Sequence, residues 1–254
     1  MKYLPLLLLT VLAGCSAGRG DWIQLFNGED LSGWDIKISG HELNDNYRNT
    51  FRVEDGLLTV SYAEYEGTWG GEFGHIFYQQ PFSDYILRVE YRFAGEQVPG
   101  GPGWALMNNG AMLHSQSARS MLLDQDFPVS IEAQFLGGAG EGERTTMNVC
   151  TPGTHVVMNG ELVTAHCTSS SSRTFPGREW LTVEMHVHGS GFIYHVIDGD
   201  TVMTYEQPRI GGELPEGFPL PAGTLLESGY IALQAESHGI EFRTIELLDL
   251  SGKR

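Results

Sequence analysis

Two short segments of the chain each place a carboxylate and an amide on the same side of a predicted β-strand. Glu132 and Gln134 lie two residues apart in one segment, and Gln234 and Glu236 lie two residues apart in the other. Apolar residues occupy the alternate positions, which is the pattern of a strand with one face on a core. A carboxylate can act as a general base, and an amide can orient a hydroxylated substrate. These four residues are therefore candidate site residues, with an ordinary solvated face of a sheet as the alternative.

A further carboxylate, Glu90, lies between two arginines on the polar side of another predicted strand. Side-chain alternation places Arg88, Glu90 and Arg92 on one face of the segment 85–93. Glu90 is a candidate substrate-binding residue. The alternative is an ion pair with Arg88 or Arg92 on a solvated sheet.

Aromatic and histidine side chains supply the remaining candidate site residues. Trp69 and His75 lie in a Gly-rich segment that could rim such a site, and an indole face suits the C–H surface of a sugar. A tryptophan in a loop without a binding role is the alternative. His114 and His238 are candidate general acids, because histidine titrates near neutral pH.

The elements that must position these residues are almost all predicted β-strands. Asp-Gly pairs at 55–56 and 198–199 predict tight hairpin turns between alternating segments. We find no window with the apolar spacing of an amphipathic helix, and no linker or internal repeat divides the chain. The sequence therefore predicts a single all-β domain, either a sandwich or a barrel.

The N-terminal residues have the pattern of a bacterial lipoprotein signal. An apolar run too short to span a bilayer ends in Leu-Ala-Gly-Cys at Cys15. This pattern predicts a signal peptide over 1–14, a lipid-anchored tether over 15–20 and one domain over 21–251. The expected location is the outer membrane, facing the periplasm or the cell surface. A plain secretory signal peptide is the alternative.

Lipidation would leave two further cysteines, Cys150 and Cys167, as an even pair. In an exported protein such a pair most simply forms a disulfide. A metal site that also uses His155 or His166 is the alternative.

The charge balance of the chain bears on its partners. The formal net charge is −17, from 32 acidic and 15 basic side chains. A nucleic-acid partner needs clustered Lys and Arg, and the sequence has no such cluster. We therefore expect no nucleic-acid partner.

Seven segments, in chain order, carry the pattern of one protein family. They are WIQLFNGEDLSGW, FRVEDGLLTV, FSDYILRVEYRF, NNGAMLH, IEAQFLGG, the pair REWLTVEMHVHG and IDGDTVMTY, and GYIALQAESHGIEFRTIELLDL. Over about residues 22–250 the chain resembles bacterial exported 3-keto-disaccharide hydrolases. The resemblance implies a concanavalin A-like jelly roll of two curved antiparallel sheets, with ligands on the concave sheet. The chain departs from the family in an Asn-Asn-Gly for Asn-Ser-Gly, in His114 for an Arg, and in an enlarged insertion at about 139–178.

The resemblance also implies a reaction that the predicted carboxylates can serve. Ordinary glycoside hydrolysis needs two carboxyl groups about 5–9 Å apart, and the strand of Glu132 has no second acid. A 3-keto group acidifies the C2 hydrogen, so one base can start an elimination that expels the C1 oxygen, followed by rehydration. Glu132 would be the base or a ligand of a divalent metal, Gln134 and Gln234 would orient the sugar, and His114 or His238 would protonate the leaving oxygen.

We therefore expect an enzyme that cleaves 3-keto glycosides or oligosaccharides. Glu236, Glu90, Trp69 and His75 are the further expected substrate-binding residues. An oxidoreductase that makes the keto substrate is an expected partner, and the lipid anchor would hold the protein at a membrane. A non-catalytic carbohydrate-binding lipoprotein is the alternative function.

Overall fold

The computed structural model describes residues 22–140 and 142–253, which form two antiparallel β-sheets packed face to face. The predicted signal peptide, tether and Cys15 lie outside the described residues. No helix in the described part of the chain is long and apolar enough to cross a bilayer. The predicted all-β sandwich is confirmed.

Seventeen strands and four short 3-10 helices make up the regular structure of the described residues. The strands are β1 Ile23–Gln24, β2 Trp34–Ile38, β3 Phe51–Glu54, β4 Leu57–Val60, β5 Gly74–Tyr78, β6 Asp84–Phe93, β7 Asn108–Ser115, β8 Ile131–Leu136, β9 Asn148–Cys150, β10 Thr154–Met158, β11 Glu161–Val163, β12 Cys167–Thr168, β13 Leu181–His188, β14 Phe192–Ile197, β15 Asp200–Ile210, β16 Tyr230–Ala235 and β17 Ile240–Asp249. The 3-10 helices span Tyr47–Asn49, Gly103–Ala105, Ala118–Ser120 and Ser251–Lys253.

The strands divide into a ten-stranded and a seven-stranded sheet. The larger sheet has the order β11-β10-β15-β14-β13-β6-β17-β4-β3, with β1 paired to β17. The smaller sheet has the order β12-β9-β8-β7-β16-β5-β2. Both predicted Asp-Gly hairpins are confirmed, since β3 pairs with β4 and β14 pairs with β15.

The core lies between the sheets and is built by side-chain alternation. On β6, Leu87, Val89 and Tyr91 are buried in the core, and on β8 Phe135 faces them from the other sheet. The rings of Tyr91 and Phe135 stack at a centroid distance of 4.5 Å. Burying a large apolar side chain contributes roughly 1.5–3 kcal/mol, so this contact layer fixes how the two sheets lie against each other.

The same alternation turns Glu132 and Gln134 of β8 away from the core, toward what we call the outer face of the seven-stranded sheet. Strand β7 lies between β8 and β16, so the two carboxylate-amide segments are separated by one strand. Gln134 lies opposite Gly110 of β7 in the register. The sheet order therefore brings the two predicted segments to one surface.

The predicted insertion at 139–178 contributes strands to both sheets. Strands β9 and β12 extend the seven-stranded sheet, whereas β10 and β11 form a hairpin at the edge of the ten-stranded sheet. The predicted disulfide is confirmed, and it joins Cys150 on β9 to Cys167 on β12, which are directly paired in the register. The disulfide therefore closes a loop that leaves one sheet, enters the other and returns.

We predict that replacing both cysteines with serine lowers the free energy of unfolding by about 3 kcal/mol, because the bond closes a loop of 17 residues. Urea unfolding of the oxidised parent and of the double variant measures this difference. The parent protein unfolded in the presence of a reductant is the matched control. Equal stability of parent and variant would contradict the prediction.

Candidate active site

A cavity of about 390 Å³ opens on the outer face of the seven-stranded sheet. We call it the site cavity. It is lined by Trp104, Asn108, Phe127, Glu132, Gln134, Leu136, Arg144, Cys150, Pro152, His166, Cys167 and Glu236. Of the residues predicted from the sequence, the structure brings Glu132, Gln134 and Glu236 together here. Gln234 lies on β16, two residues before Glu236, and is paired with His75 of β5. It does not line the cavity.

The side chain of Glu132 occupies the space left on the outer face of β7 by the absence of a side chain at Gly110. A Cβ atom built on Gly110 would clash with Oε1 of Glu132 and would lie 2.9 Å from its carboxyl carbon. The carboxyl group is therefore folded across β7, toward β16 and Glu236. Gly110 is needed here for space, since any side chain would displace the carboxylate.

Burial sets the protonation of both carboxyl groups. Glu132 and Glu236 are 6% and 3% exposed. Burial raises the pKa of Glu132 to about 8. Burial, and then the nearby charge of Glu132, raise the pKa of Glu236 well above its usual range. Two neighbouring carboxyls that cannot both ionise easily take different protonation states, which is how acid and base roles are separated.

Unpartnered polar atoms cluster around these carboxyls. Gln234 has neither its amide nitrogen nor its amide oxygen bonded, and both ring nitrogens of His75 lack a partner. These two residues are paired in the register of β16 and β5. Oε2 of Glu236 is also buried without a partner. A buried polar group without a partner costs about 1–3 kcal/mol, so this cluster is suited to accept a polar ligand.

The Asn-Asn-Gly segment of β7 adds one amide to the lining of the site cavity, that of Asn108. Asn109 donates from Nδ2 to the backbone oxygen of Gln234 at 2.5 Å, and the side-chain oxygens of Asn108 and Asn109 have no partner. Gln134, by contrast, accepts a hydrogen bond from Asn148 at 3.0 Å. The amide oxygen of Gln134 is therefore held in place, whereas the side-chain oxygen of Asn108, which lines the site cavity, remains available. Asn109 is fully buried and lies opposite the core residue Phe135.

An aromatic wall borders the site cavity, and it differs from the predicted one. Trp104 is 54% exposed and stacks on Phe73 at 5.8 Å, while Phe73 also contacts Phe127 at 4.9 Å. Trp69, the predicted stacking residue, is 8% exposed and packs edge-on against Phe73 at 4.6 Å. Trp69 thus supports the wall from the core, and Trp104 presents an open indole face.

Arg144 lines the site cavity, although the sequence did not predict it as a site residue. Its Nη1 donates to the backbone oxygens of Gly137 at 2.6 Å and Met107 at 3.3 Å, and its Nη2 donates to Trp104 at 3.4 Å. Burial lowers the pKa of Arg144, but arginine stays protonated. Arg144 lies in the predicted insertion, where the sequence has no alternation that would indicate a strand or the face of a site residue.

Glu90 lies elsewhere, on β6 of the ten-stranded sheet. Its carboxylate accepts hydrogen bonds from Arg243, and from Thr182 and Thr244 at 3.3 Å each. Glu90, a candidate substrate-binding residue from the sequence, does not line the site cavity, because β6 belongs to the other sheet. The alternative pairing within its own strand is also not observed. Arg88 binds Glu184 and Glu246, and Arg92 binds Glu241.

The predicted histidines do not line the site cavity. His114 has a positive φ of 47°, which interrupts the alternation along β7. Its ring contacts Tyr85 of the other sheet, and its Nε2 lies 3.0 Å from the backbone oxygen of Gly189. His238 packs edge-on against Phe93 at 5.7 Å. His75 lies within β5 and not in a loop.

Burial also makes these histidines poor acids at neutral pH. It lowers the pKa of His114 and lowers that of His75 to about 3. Burial, and then the charges of Arg178 and Arg144, lower the pKa of His238 to about 4. All three are therefore neutral near pH 7, and Glu236 is the better candidate for a proton donor.

The expected divalent metal has no ligand set in the described part of the chain. No group of three or more His, Cys, Asp or Glu side chains there comes close enough to hold a metal ion. Glu132 and Glu236 are two carboxyls with raised pKa values, whereas a hard cation favours ionised oxygen ligands. In the described part of the chain, Glu132 therefore has no preformed set of three such ligands around it.

Comparison with solved structures places the fold among glycoside-acting proteins. A candidate glycosyl hydrolase from Parabacteroides distasonis ATCC 8503 is 17% identical, with a TM-score of 0.53 over 91% of this chain and 100% of that chain. The β-glucanase of Bacillus licheniformis is 12% identical, with a TM-score of 0.51 over 92% and 99%. At these identities the likeness shows the fold, which is the predicted jelly roll.

A family model also matches most of the chain. The model of a family described as 3-keto-alpha-glucoside-1,2-lyase-like domains matches residues 21–248. Among curated proteins, none matches the chain.

We predict that Glu132→Gln makes the protein more stable at alkaline pH. Because folding raises the pKa of Glu132, the folded state holds a proton that the unfolded state releases. Its contribution to stability is present below the unfolded pKa and is lost as pH rises toward the folded pKa. The neutral amide removes this loss, so we expect a gain on the order of 1–3 kcal/mol near pH 8 and little near pH 5.

Denaturant unfolding at the two pH values measures this effect. The exposed Glu161→Gln variant is the matched control, because it makes the same chemical change in solvent. Parallel stability curves for Glu132→Gln and the parent would show that Glu132 is not desolvated.

Proposed function

The chain belongs to the family of 3-keto-alpha-glucoside-1,2-lyase-like domains, and on this premise we propose that it cleaves 3-keto glycosides by elimination, followed by addition of water. Membership of this family makes it a carbohydrate-acting, glycosyl hydrolase-like protein. The observation that carries the finer proposal is the pair of Glu132 and Glu236, which are buried in one cavity and whose pKa values are both raised.

Glu132 is the proposed base. A carboxylate in a desolvated site is a stronger base than one in water, and its raised pKa suits the removal of a carbon-bound hydrogen next to a ketone. The carboxylate takes the C2 hydrogen, and the electron pair moves onto the C3 oxygen as an enolate. The enolate then reforms the ketone and expels the oxygen on C1, which leaves a C1–C2 double bond.

Glu236 is the proposed acid. Its carboxyl is protonated at neutral pH because burial and the neighbouring Glu132 raise its pKa. It gives its proton to the departing oxygen, so that a neutral alcohol is released. Water then adds its hydroxyl to C1 and its hydrogen to C2, which returns a free 3-keto sugar and completes the hydrolysis.

The cation and the amides of the cavity complete the arrangement. Arg144 lines the site cavity and would stabilise the negative charge on the C3 oxygen. The unpartnered amide of Gln234 and the side-chain oxygen of Asn108 would bind sugar hydroxyls. The exposed face of Trp104 would stack on the C–H surface of the ring.

The proposed chemistry needs a supplier of its substrate. A 3-keto glycoside arises by oxidation of a glycoside at C3, so the protein would act after an oxidoreductase that works on the intact glycoside. We further propose that the domain is exported and held to a membrane through lipid on Cys15. Export agrees with the disulfide between Cys150 and Cys167.

We predict that the protein releases the alcohol from a 3-keto glucoside and leaves the unoxidised parent glucoside intact. The ketone is required because it acidifies C2. Glu132→Gln is expected to lower kcat by on the order of 10²–10⁴, the range typical for loss of a general base. Chromatography of the released alcohol measures both results.

Glu90→Gln is the matched control, because it makes the same chemical change at a carboxylate on the opposite sheet. This variant should leave turnover unchanged. Binding of the keto glucoside without release would favour a carbohydrate-binding module. Equal cleavage of both glucosides would exclude the elimination. A parallel assay with a chelator tests for any dependence on a metal ion.

We also predict that the plot of kcat/KM against pH is bell-shaped, with both of its limbs at alkaline pH. The rate should rise as Glu132 loses its proton, around pH 8, and fall at higher pH as Glu236 loses its own. An ascending limb near the usual pKa of an exposed glutamate would contradict the assignment of Glu132 as the base. Rates measured over short times at each pH, corrected for spontaneous breakdown of the substrate, give the profile.

A further inference from the structure

A second cavity adjoins the site cavity and shares part of its wall. Its volume is about 750 Å³, and Phe127, Pro152 and His166 line both cavities. We propose that this second cavity, which we call the outer cleft, holds the leaving group of the glycoside and selects an apolar group over an anionic one. The inference rests on the proposed function, because it assigns the other half of the same substrate.

The first argument is that one wall of the outer cleft is apolar yet open to solvent. Leu122 and Leu123 line it and are 46% and 48% exposed. Leu214 and Pro215, which are partly buried, also line it. Contiguous exposed apolar side chains beside a polar site mark a surface that contacts an apolar group.

The second argument is that the backbone carrying these leucines is fixed. The buried ammonium group of Lys37 donates to the backbone oxygen of Leu123 at 2.8 Å and to two other carbonyls. The backbone nitrogen of Leu122 donates to Gln125, whose side chain in turn donates to the backbone oxygen of Phe127 at 2.7 Å. A wall that is already ordered loses little conformational freedom when a ligand binds.

The third argument is electrostatic. Exposed Asp124, Asp126 and Glu213 line the outer cleft, and its described basic side chains are His155 and His166, with no Lys or Arg. The whole chain carries a formal charge of −17. An anionic leaving group would enter against this field, whereas a neutral one would not.

The shared residues define where the substrate would cross from one cavity to the other. The sugar ring would lie in the site cavity against Glu132 and Glu236. Its C1 oxygen would lie at the boundary marked by Phe127, Pro152 and His166, and the group attached to that oxygen would extend into the outer cleft. The reaction releases this group first, and the open cleft gives it a direct exit to solvent.

Three 3-keto glucosides with benzyl, 4-carboxybenzyl and 4-(aminomethyl)benzyl leaving groups test the proposal. These benzylic oxygens have similar acidity, so differences in kcat/KM report on binding in the outer cleft. We expect kcat/KM for the benzyl compound to exceed that for the carboxybenzyl compound by about tenfold or more. We expect kcat/KM for the aminomethylbenzyl compound, whose cation the acidic side chains do not repel, to exceed that for the carboxybenzyl compound as well. Methyl 3-keto glucoside gives the rate without an apolar group.

The variant Leu122→Ser/Leu123→Ser should lower kcat/KM for the benzyl compound and leave that for the methyl compound unchanged. Leu162→Ser is the matched control, because Leu162 is 52% exposed and does not line either cavity. Asp124→Asn/Asp126→Asn should reduce the discrimination against the carboxybenzyl compound.

The outcomes separate the two proposals. Equal rates for the three benzyl compounds and for the methyl compound would overturn the outer cleft as a leaving-group site while leaving the proposed reaction intact. Cleavage of none of the four would overturn the proposed reaction, and the inference would fall with it. A rate preference that the leucine variant does not change would place the leaving group elsewhere.

Discussion

The desolvation of two neighbouring carboxyl groups on one sheet face is the constraint on which the site depends. Glu132 and Glu236 are both buried, and each makes ionisation of the other costlier. The fold tolerates the pair because both carboxyls can keep their protons near neutral pH. Their polar surroundings, the amide of Gln234 and the neutral ring of His75, add hydrogen-bonding atoms without adding a further charge.

The rest of the seven-stranded sheet supplies this environment through its register. Met112 lies beside Glu132 in the pairing of β7 and β8, and it belongs to an apolar cluster on the outer face. The members of that cluster are Phe77, Met112, Ala118, Met121 and Ala232. One part of the outer face is thus covered and apolar, while the adjoining part holds the site cavity. Because both parts lie on the same strands, the apolar packing fixes the strands that carry the polar groups.

Local sequence patterns predict the strands and their faces, but they do not predict which strands meet. Alternation marks Glu132 on β8 and Glu90 on β6 equally well, and only the long-range strand order separates them into different sheets. Trp69 and Trp104 both lie in Gly-rich segments, and tertiary packing alone decides that the first is buried and the second open. His114 departs from the alternation because of its left-handed backbone.

The disulfide has a consequence for how the protein matures. Cys150 and Cys167 both line the site cavity, so the cross-link is itself part of the wall that faces the ligand. In a chain whose thiols are still reduced, β9 and β12 are joined by their strand pairing and by hydrogen bonds such as that from the backbone nitrogen of Ser170 to Asn148 at 2.9 Å. Oxidative folding therefore adds the only covalent cross-link in the described part of the chain to the lining of the site cavity. On the proposed export route, this cross-link would form only after the chain has left the reducing cytoplasm.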